Sequence, residues 1–133
     1  GPEGVIGTSN YFFYYPDSEA NRQFVAEFKK AYNREPAVGA VYGMLAARFI
    51  SQAYLKAGKA ETEAFIDAVE GLTVDSPVGP VTMRACDHQA TLPMFMGVTK
   101  KVAGYDFLMA TDIVTIPGEE VMPSCEEIAA SRK

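Results

Sequence analysis

The stretch SNYFFYYPDSEANRQF, residues 9–24, decides how the fold of this chain is interpreted. It places five consecutive aromatic side chains, residues 11–15, directly before Pro16 and a polar run that favours the start of a helix. Such a run is compatible with a fully buried strand, with a surface that stacks on a ligand, or with a platform for nucleic-acid bases. The remainder of the sequence separates these interpretations.

Composition and charge argue against the nucleic-acid platform. The chain has 133 residues, of which 48% are hydrophobic and 22% charged, the balance of a globular protein with a core of its own. Its net charge is −5, from 12 basic and 17 acidic residues. Because bases normally stack on aromatic residues inside a positively charged groove, we expect no nucleic-acid partner.

Neither a membrane span nor a targeting segment is recognisable in the sequence. No stretch approaches the roughly 18 uninterrupted apolar residues of a transmembrane helix. The chain starts abruptly with Gly1 and Pro2, without a Met or a signal peptide, and runs directly into a segment with strand character. We therefore expect either a trimmed start or one portion of a larger protein.

Two cysteines, Cys86 and Cys125, lie 39 positions apart. Zinc sites use closely spaced pairs of ligands, and the two cysteines with the single histidine, His88, do not provide a complete set of metal ligands. We expect no metal site and no cofactor. From their spacing alone, two buried free thiols and one disulfide both stay open, and the disulfide would indicate an oxidising compartment.

Residue patterns predict a strand followed by a helix at the beginning of the chain. Aromatic and β-branched residues dominate Val5–Tyr15, and Pro16 ends the predicted strand. Asp17 or Ser18 can cap the helix that follows, which ends before Pro36. We interpret the aromatic run as part of this buried strand, with alternate rings facing the core and a cleft.

Two more helices and a block of strands follow. The predicted helices cover Val38–Ala57, which is apolar nearly all round and therefore expected to be buried, and Glu61–Glu70. Ser124 and Glu127 have the spacing of a capping box and predict a short last helix. The strand-like stretches are residues 76–85, 93–101 and 105–117.

The predicted order is β-α-α-α-β-β-β-α, an α/β arrangement with the helices in one block and most strands in another. Such a chain scarcely supplies enough surface to cover the apolar second helix. The pattern therefore fits one portion of a larger α/β protein better than a self-contained domain.

The residues of common enzyme sites are missing from the sequence. There is no glycine-rich phosphate loop and no Gly-x-Ser-x-Gly elbow. Asp87 and His88 are adjacent in a turn-like stretch, so we expect Asp87 to bond the backbone ahead of it, in a structural turn and not a catalytic pair. The sequence predicts that this protein is not an enzyme.

Four stretches, taken in order, resemble one known family. They are EGVIGTSNYFFYYPDSEANRQFVAEFKKAYNREP (residues 3–36), AVGAVYGMLAARFISQAYLKAG (37–58), FIDAVEGLTVDSPVGPVTMRACDHQA (65–90) and TLPMFMGVTKK (91–101). Their order and spacing resemble the C-terminal part of the type I periplasmic substrate-binding proteins of ABC transporters, the branched-chain-amino-acid-binding or extracellular ligand-binding receptor family. The motif R-x-x-D-H-Q, together with P-M-F-M-G, is similar to the corresponding sequences of family members that bind aromatic acids or related small carboxylates.

This resemblance implies the C-terminal portion of a two-lobed type I periplasmic-binding-protein fold, incomplete on its own. Residues 1–15 would hold the end of a second-lobe strand and the hinge. Residues 16–92 would form helices and a strand of the first lobe, and residues 93–133 the return strands and C-terminal tail. The remaining N-terminal part of the same protein is then an implied partner.

The resemblance also implies a function. The family's proteins are exported to the periplasm, bind a small molecule such as an amino acid or an aromatic or small carboxylate between two lobes, and deliver it to an ABC permease. The alternative is the ligand-sensing domain of a receptor or regulator with the same fold. A signal peptide and neighbouring permease genes would favour transport.

Ligand contacts are predicted for Tyr11 and Phe13, near the end of the first strand, and for Tyr42, at the start of the second helix. Burial in the core is the competing interpretation for each of the three. The tail of the chain, which the family pattern does not match, would pass near the stretch MRAC. The resemblance thus favours a disulfide between Cys86 and Cys125.

Overall fold

The computed structural model describes residues 1–132 and belongs to the α/β class. Helices and strands are segregated as predicted, with one additional short strand. In chain order the elements are β1 (Ile6–Ser9), α1 (Glu19–Tyr32), α2 (Val38–Ala57), α3 (Thr62–Val69), β2 (Thr73–Val74), β3 (Val81–Thr82), β4 (Met94–Lys101), β5 (Leu108–Ile116), a 3-10 turn (Gly118–Glu120) and α4 (Cys125–Ser131).

A three-stranded antiparallel sheet with the order β1-β4-β5 organises one side of the molecule. Gly7 of β1 pairs with Gly97 of β4, and the β4–β5 register shifts between Met96 and Val98. A Cβ atom at Gly97 would lie 2.9 Å from the Thr111 carbonyl oxygen, so this position requires glycine. The short strands β2 and β3 form a separate hairpin.

The predicted strand over Val5–Tyr15 is wrong beyond Ser9. Residues 11–15, the aromatic loop, turn back on themselves: the Tyr15 backbone N–H donates to the Phe12 carbonyl at 2.9 Å. The reason is the length of the partner strand, since Ser9 pairs with Phe95 and β4 begins only one residue earlier. Residues past Ser9 therefore have no strand to pair with. Because residues 11–15 are not a strand, the predicted alternation of their rings between the core and a cleft is also wrong.

The helix boundaries follow the predicted capping signals. The Ser18 side chain accepts the Asn21 N–H at 3.1 Å at the start of α1, and Gly58 ends α2 in the left-handed conformation. At α4, the Ser124 hydroxyl accepts the Glu127 N–H at 3.2 Å while the Glu127 carboxylate accepts the Ser124 N–H at 2.7 Å. The predicted capping box is thus confirmed.

The hydrophobic core lies between α2, the β2–β3 hairpin, α3 and the beginning of β4. Its centre contains Val41, Val74, Val81 and Phe95, each less than 2% exposed. Only one face of α2 is buried within residues 1–132, so burial of this helix on all sides stays a prediction that involves the rest of the protein. Its other face exposes Tyr42, Ile50, Tyr54 and Leu55.

The two cysteines are joined in a disulfide, Cys86–Cys125, with their Cα atoms 5.7 Å apart. The interpretation as two free thiols therefore does not hold. Over residues 1–132, no helix is both long and apolar enough to cross a membrane, and no group of three or more histidine, cysteine or acidic side chains could hold a metal ion.

Candidate functional site

A cleft of about 510 Å³ opens between β1, the aromatic loop, the beginning of α2 and the sheet formed by β4 and β5. Its lining is predominantly apolar and aromatic, which is typical of small-molecule sites. The lining residues are Gly7, Thr8, Ser9, Tyr11, Phe12, Phe13, Tyr14, Glu35, Pro36, Ala37, Val38, Gly97, Thr99, Phe107, Leu108 and Ala110.

Tyr11 lies at the base of this cleft and is almost completely buried. Its hydroxyl donates to the Asn21 side-chain oxygen at 2.9 Å, and its ring packs edge-on against Phe24. Burial, helped by the negative charge of Glu35, raises the pKa of Tyr11 far above its ordinary value. Tyr11 therefore stays neutral and is held in one position.

Phe13 also lines the cleft, and its ring is only partly buried. It packs edge-on against Tyr14, with ring centroids 5.0 Å apart, and lies 6.1 Å from the ring of Tyr105 on the β4–β5 connection. Its position is set by the aromatic loop, which the Asn21 amide fixes by donating to the Phe13 carbonyl at 3.0 Å. The structure thus brings Tyr11 and Phe13 to the same cleft.

Tyr42 does not line this cleft. Its ring is 43% exposed, and its hydroxyl donates to the Asn10 side-chain oxygen at 2.7 Å. The Asn10 amide in turn donates to the Pro93 carbonyl at 2.8 Å. Tyr42 therefore ties α2 to the end of β1 and the beginning of β4, and its predicted contact with a ligand stays a prediction.

Tyr14 and Phe107 also line the cleft, although the sequence did not indicate either of them as a ligand contact. The Tyr14 hydroxyl accepts the Ala110 N–H of β5 at 2.9 Å, and burial raises the pKa of Tyr14. Phe107 precedes β5 and is 49% exposed. For Tyr14, the sequence predicted a strand with alternating ring directions, which selected Tyr11 and Phe13 instead. Phe107 is distant in sequence, and only the connection between β4 and β5 brings it to the cleft.

The side chains of Asp87 and His88 bond different partners. The Asp87 carboxylate accepts the Gln89 N–H at 3.2 Å and the Arg84 Nε–H at 3.1 Å, and this bonding to Arg84 lowers the pKa of Asp87. His88 Nε2 instead lies 2.7 Å from a carboxylate oxygen of Glu70. The prediction of a structural turn in which Asp87 bonds the backbone ahead of it is confirmed.

Glu35 is the charged side chain on the cleft lining. Its Oε1 atom accepts from Lys29 Nζ at 2.8 Å, which raises the pKa of Lys29 through that hydrogen bond. Its Oε2 atom is enclosed and has no hydrogen-bond partner within residues 1–132. The lysine offsets the negative charge of Glu35, so the cleft carries little net charge of its own.

Comparison with known proteins identifies the family. A sequence model described as "Periplasmic binding protein" matches residues 1–103. A comparison with curated proteins found no significant match. Among solved structures, an ABC-type branched-chain amino acid transporter from Rhodopseudomonas palustris is 28% identical, with a TM-score of 0.82 over 92% of this chain and 33% of that chain.

Two other solved structures are similar at nearly the same level. A solute-binding protein of an ABC transporter from Rhodopseudomonas palustris, in complex with 3,4-dihydroxybenzoic acid, is 27% identical, with a TM-score of 0.73 over 87% of this chain and 31% of that chain. A leucine-, isoleucine-, valine-, threonine- and alanine-binding protein from Brucella ovis is 26% identical, with a TM-score of 0.71 over 92% of this chain and 33% of that chain.

The chain therefore spans about a third of the length of the solved structures that it matches. Its α/β architecture is that of part of the periplasmic-binding-protein fold, as the resemblance implied. These relatives are binding and transport proteins and not enzymes. From its sequence and its fold together, this chain belongs to the periplasmic binding protein family.

Proposed function

We propose that this chain is the C-terminal portion of an exported substrate-binding protein of an ABC transporter. It binds an amino acid or an aromatic or small carboxylate between two lobes in the periplasm and delivers it to an ABC permease. The remaining N-terminal part of the same protein forms the opposite side of the site. In this proposal residues 1–15 approach the hinge from the second lobe, residues 16–92 belong to the first lobe, and residues 93–133 return and form the tail.

The cleft is the observation that carries this proposal. Its volume of about 510 Å³ falls within the range of about 300–1,000 Å³ that small-molecule sites occupy. Apolar rings cover most of its surface, and Thr8 of β1 adds a hydroxyl group to the lining. The hydroxyls of Ser9 and Thr99 already donate to the carbonyls of Tyr11 and Pro2. This combination suits a ligand with an apolar body and a few polar atoms, such as the ligands named for the relatives.

Each predicted site residue has a defined part in this proposal. Phe13 offers a partly exposed ring to the ligand, and Tyr11 forms the buried base beneath it. Tyr42 holds Asn10 and so fixes the start of the aromatic loop, and its exposed ring is accessible to the part of the protein that would complete the site.

The paired strands β1 and β4 supply the hinge in this proposal. Gly7 and Gly97 lie opposite each other in the ladder and both line the cleft. Since glycine has no side chain to restrict the backbone, bending at this pair is less costly than elsewhere along the strands. Closure of two lobes around a ligand by bending of a few residues is a common motion in binding proteins.

Thermal unfolding of the intact protein, with its N-terminal part included, tests this function. Leucine, benzoate and 4-hydroxybenzoate are added separately, and at least one of them should raise the melting temperature, because a ligand that binds only the folded state stabilises it. Phe13→Ala should reduce the shift. Tyr32→Ala, at an exposed ring of α1 away from the cleft, should leave the shift unchanged. A melting temperature that no amino acid or small carboxylate raises would contradict the proposal.

A further inference from the structure

Strand β5 has a long outer edge that pairs with no other strand within residues 1–132. In the order β1-β4-β5, both β1 and β5 lie at an edge of the sheet. β1 has only four residues, whereas β5 has nine. Free strand edges tend to pair with strands of other molecules, and proteins limit this by keeping edge strands short or by blocking them. Since β1 is already short, protection is needed mainly at β5.

The residues of β5 favour pairing with another strand. The strand reads LMATDIVTI, and its last four residues, 113–116, are all β-branched. It contains no proline and no glycine, and Asp112 is its only charged residue. Segments with high β-propensity and low charge form intermolecular sheets when their edge is accessible. Addition of a second copy of this chain along β5 would therefore be favourable if nothing blocked the edge.

The Tyr14 hydroxyl occupies a backbone donor on this edge. Thr99 of β4 uses its backbone groups towards β1, because its carbonyl accepts the Gly4 N–H at 2.8 Å and its N–H donates to the Val5 carbonyl at 2.9 Å. Ala110 pairs with Thr99 in the β4–β5 register, so the backbone groups of Ala110 point away from β4 towards the free edge. There the Ala110 N–H donates to Tyr14 at 2.9 Å, and an added strand would have to displace this hydroxyl.

The aromatic loop is fixed to β5 at a second point. The hydroxyls of Tyr15 and Thr115 lie 2.9 Å apart, and the Tyr15 ring packs edge-on against Phe95 of β4, with centroids 5.1 Å apart. Asn21 anchors the other side of the loop to α1. Because the loop is held on both sides, Tyr14 stays at the edge of β5.

A bulge interrupts the same edge between these two points. The β4–β5 register shifts between Met96 and Val98, so two residues of β5, Asp112 and Ile113, stand opposite one residue of β4. Asp112 is the middle residue of the strand and adopts the left-handed conformation, with φ 53°. Its hydrogen bond with Lys100 at 2.6 Å lowers the pKa of its carboxyl, and its side chain is 67% exposed. A bend and an ionised side chain both oppose strand addition.

We propose that Tyr14 and Asp112 protect the outer edge of β5 from pairing with a second copy of this chain. Tyr14 blocks the Ala110 donor, and Asp112 bends the strand and places a carboxylate where the centres of two β5 strands would meet. In a symmetric pair of β5 strands every such obstacle acts twice, since the same surface of both molecules is used. This role is separate from ligand binding and does not depend on the function proposed above.

Sedimentation velocity of the 133-residue chain, over a range of concentrations, tests this protection. Tyr14→Phe leaves the Ala110 N–H without its partner. Asp112→Asn removes the charge but keeps a residue that tolerates the left-handed conformation, whereas Asp112→Val disfavours that conformation as well. The combined variant Tyr14→Phe, Asp112→Asn should dimerise with a dissociation constant at least about tenfold lower than that of the parent chain. Asp112→Val should associate more strongly than Asp112→Asn.

Hydrogen exchange locates the contact. In the associating variants, protection of the Ala110 amide should increase with protein concentration. Tyr32→Phe and Glu126→Gln are matched controls, since they remove a phenolic hydroxyl and a charge at exposed positions of α1 and α4. Both controls should sediment as the parent chain does.

Three results would overturn this inference. The first is a parent chain that already associates through the amides of β5. The second is that Tyr14→Phe and Asp112→Val stay as monomeric as the controls. The third is association that protects only amides of α2 and is equal in the parent chain and its variants. Circular dichroism identifies a variant that does not fold, and Asp112→Asn, which suits the existing backbone, then decides the outcome.

Discussion

At the residue scale, the position of the aromatic loop depends on Asn21. This side chain lies in the first turn of α1, is only 2% exposed, and makes three hydrogen bonds, two to the aromatic loop and one to Pro16, which follows the loop. It accepts the Tyr11 hydroxyl at 2.9 Å and donates to the carbonyls of Phe13 and Pro16, both at 3.0 Å. Buried polar groups are stable only when satisfied in this way, so the loop and α1 form one unit.

Replacing this asparagine should therefore cost more than a helix substitution normally does. Asn21→Ala leaves the Tyr11 hydroxyl and the carbonyls of Phe13 and Pro16 without their partner, and we expect the free energy of unfolding to fall by about 2–3 kcal/mol. Urea denaturation measures this change. Gln23→Ala, at an exposed position two residues later in the same helix, should cost less than about 0.5 kcal/mol. Equal losses for the two variants would contradict the role of Asn21.

At the scale of a single element, α2 shows two faces of different character. Its face with Val41, Leu45, Phe49 and Ala53 is buried in the core. The adjacent positions are apolar as well, but they are exposed, including Ile50 at 51%. Sequence periodicity could not separate these faces, because both consist of apolar residues and only the neighbouring elements decide which is covered.

Adjacent residues of α2 provide a direct test of this difference. Phe49→Ala removes a ring that is 5% exposed and should lower the free energy of unfolding by about 3–5 kcal/mol, because it leaves a cavity in the core. Ile50→Ala should cost less than about 1 kcal/mol, because its side chain already contacts solvent. Chemical denaturation of both variants gives the comparison, and a cost for Ile50→Ala near that of Phe49→Ala would contradict the assignment of faces.

At the scale of the whole molecule, the C-terminal segment is attached differently from the rest of the chain. Helix α4 has no buried residue. The segment is connected by the disulfide Cys86–Cys125, by Arg84 donating to the Pro123 carbonyl at 2.9 Å, and by Arg132 donating to the Cys86 carbonyl at 3.1 Å. Covalent and polar contacts therefore replace apolar packing at this end of the chain.

Removing the disulfide should accordingly destabilise the protein without changing its core. The bond joins residues 39 positions apart, and chain entropy predicts a loss of about 3–4 kcal/mol in the free energy of unfolding for the double variant Cys86→Ser, Cys125→Ser. Guanidinium denaturation measures the loss, and the reduced parent chain should match the variant. Two free thiols detected by mass spectrometry under non-reducing conditions would contradict the assignment of the bond.

Local signals in the sequence predicted most elements, because they act over a few residues. The cap at Ser18, the capping box at Ser124 and the glycine end of α2 at Gly58 all require only neighbouring residues. The aromatic loop was predicted incorrectly, because a strand also requires a partner, and β4 begins at Met94, too late to pair beyond Ser9. Local propensity contains no information about that limit.

For the candidate site as well, local sequence and tertiary structure contribute different information. The sequence by itself determined the family and the succession of helices and strands, because these follow from residue order and type. It indicated Tyr11 and Phe13 through an alternation that the aromatic loop does not have. Only the tertiary structure decided that Tyr42 lies outside the cleft and that Tyr14 and Phe107 lie on it. The placements of Tyr14 and Tyr42 depend on contacts between residues distant in sequence, Tyr14 with Ala110 and Tyr42 with Asn10, and only the folded backbone brings such residues together.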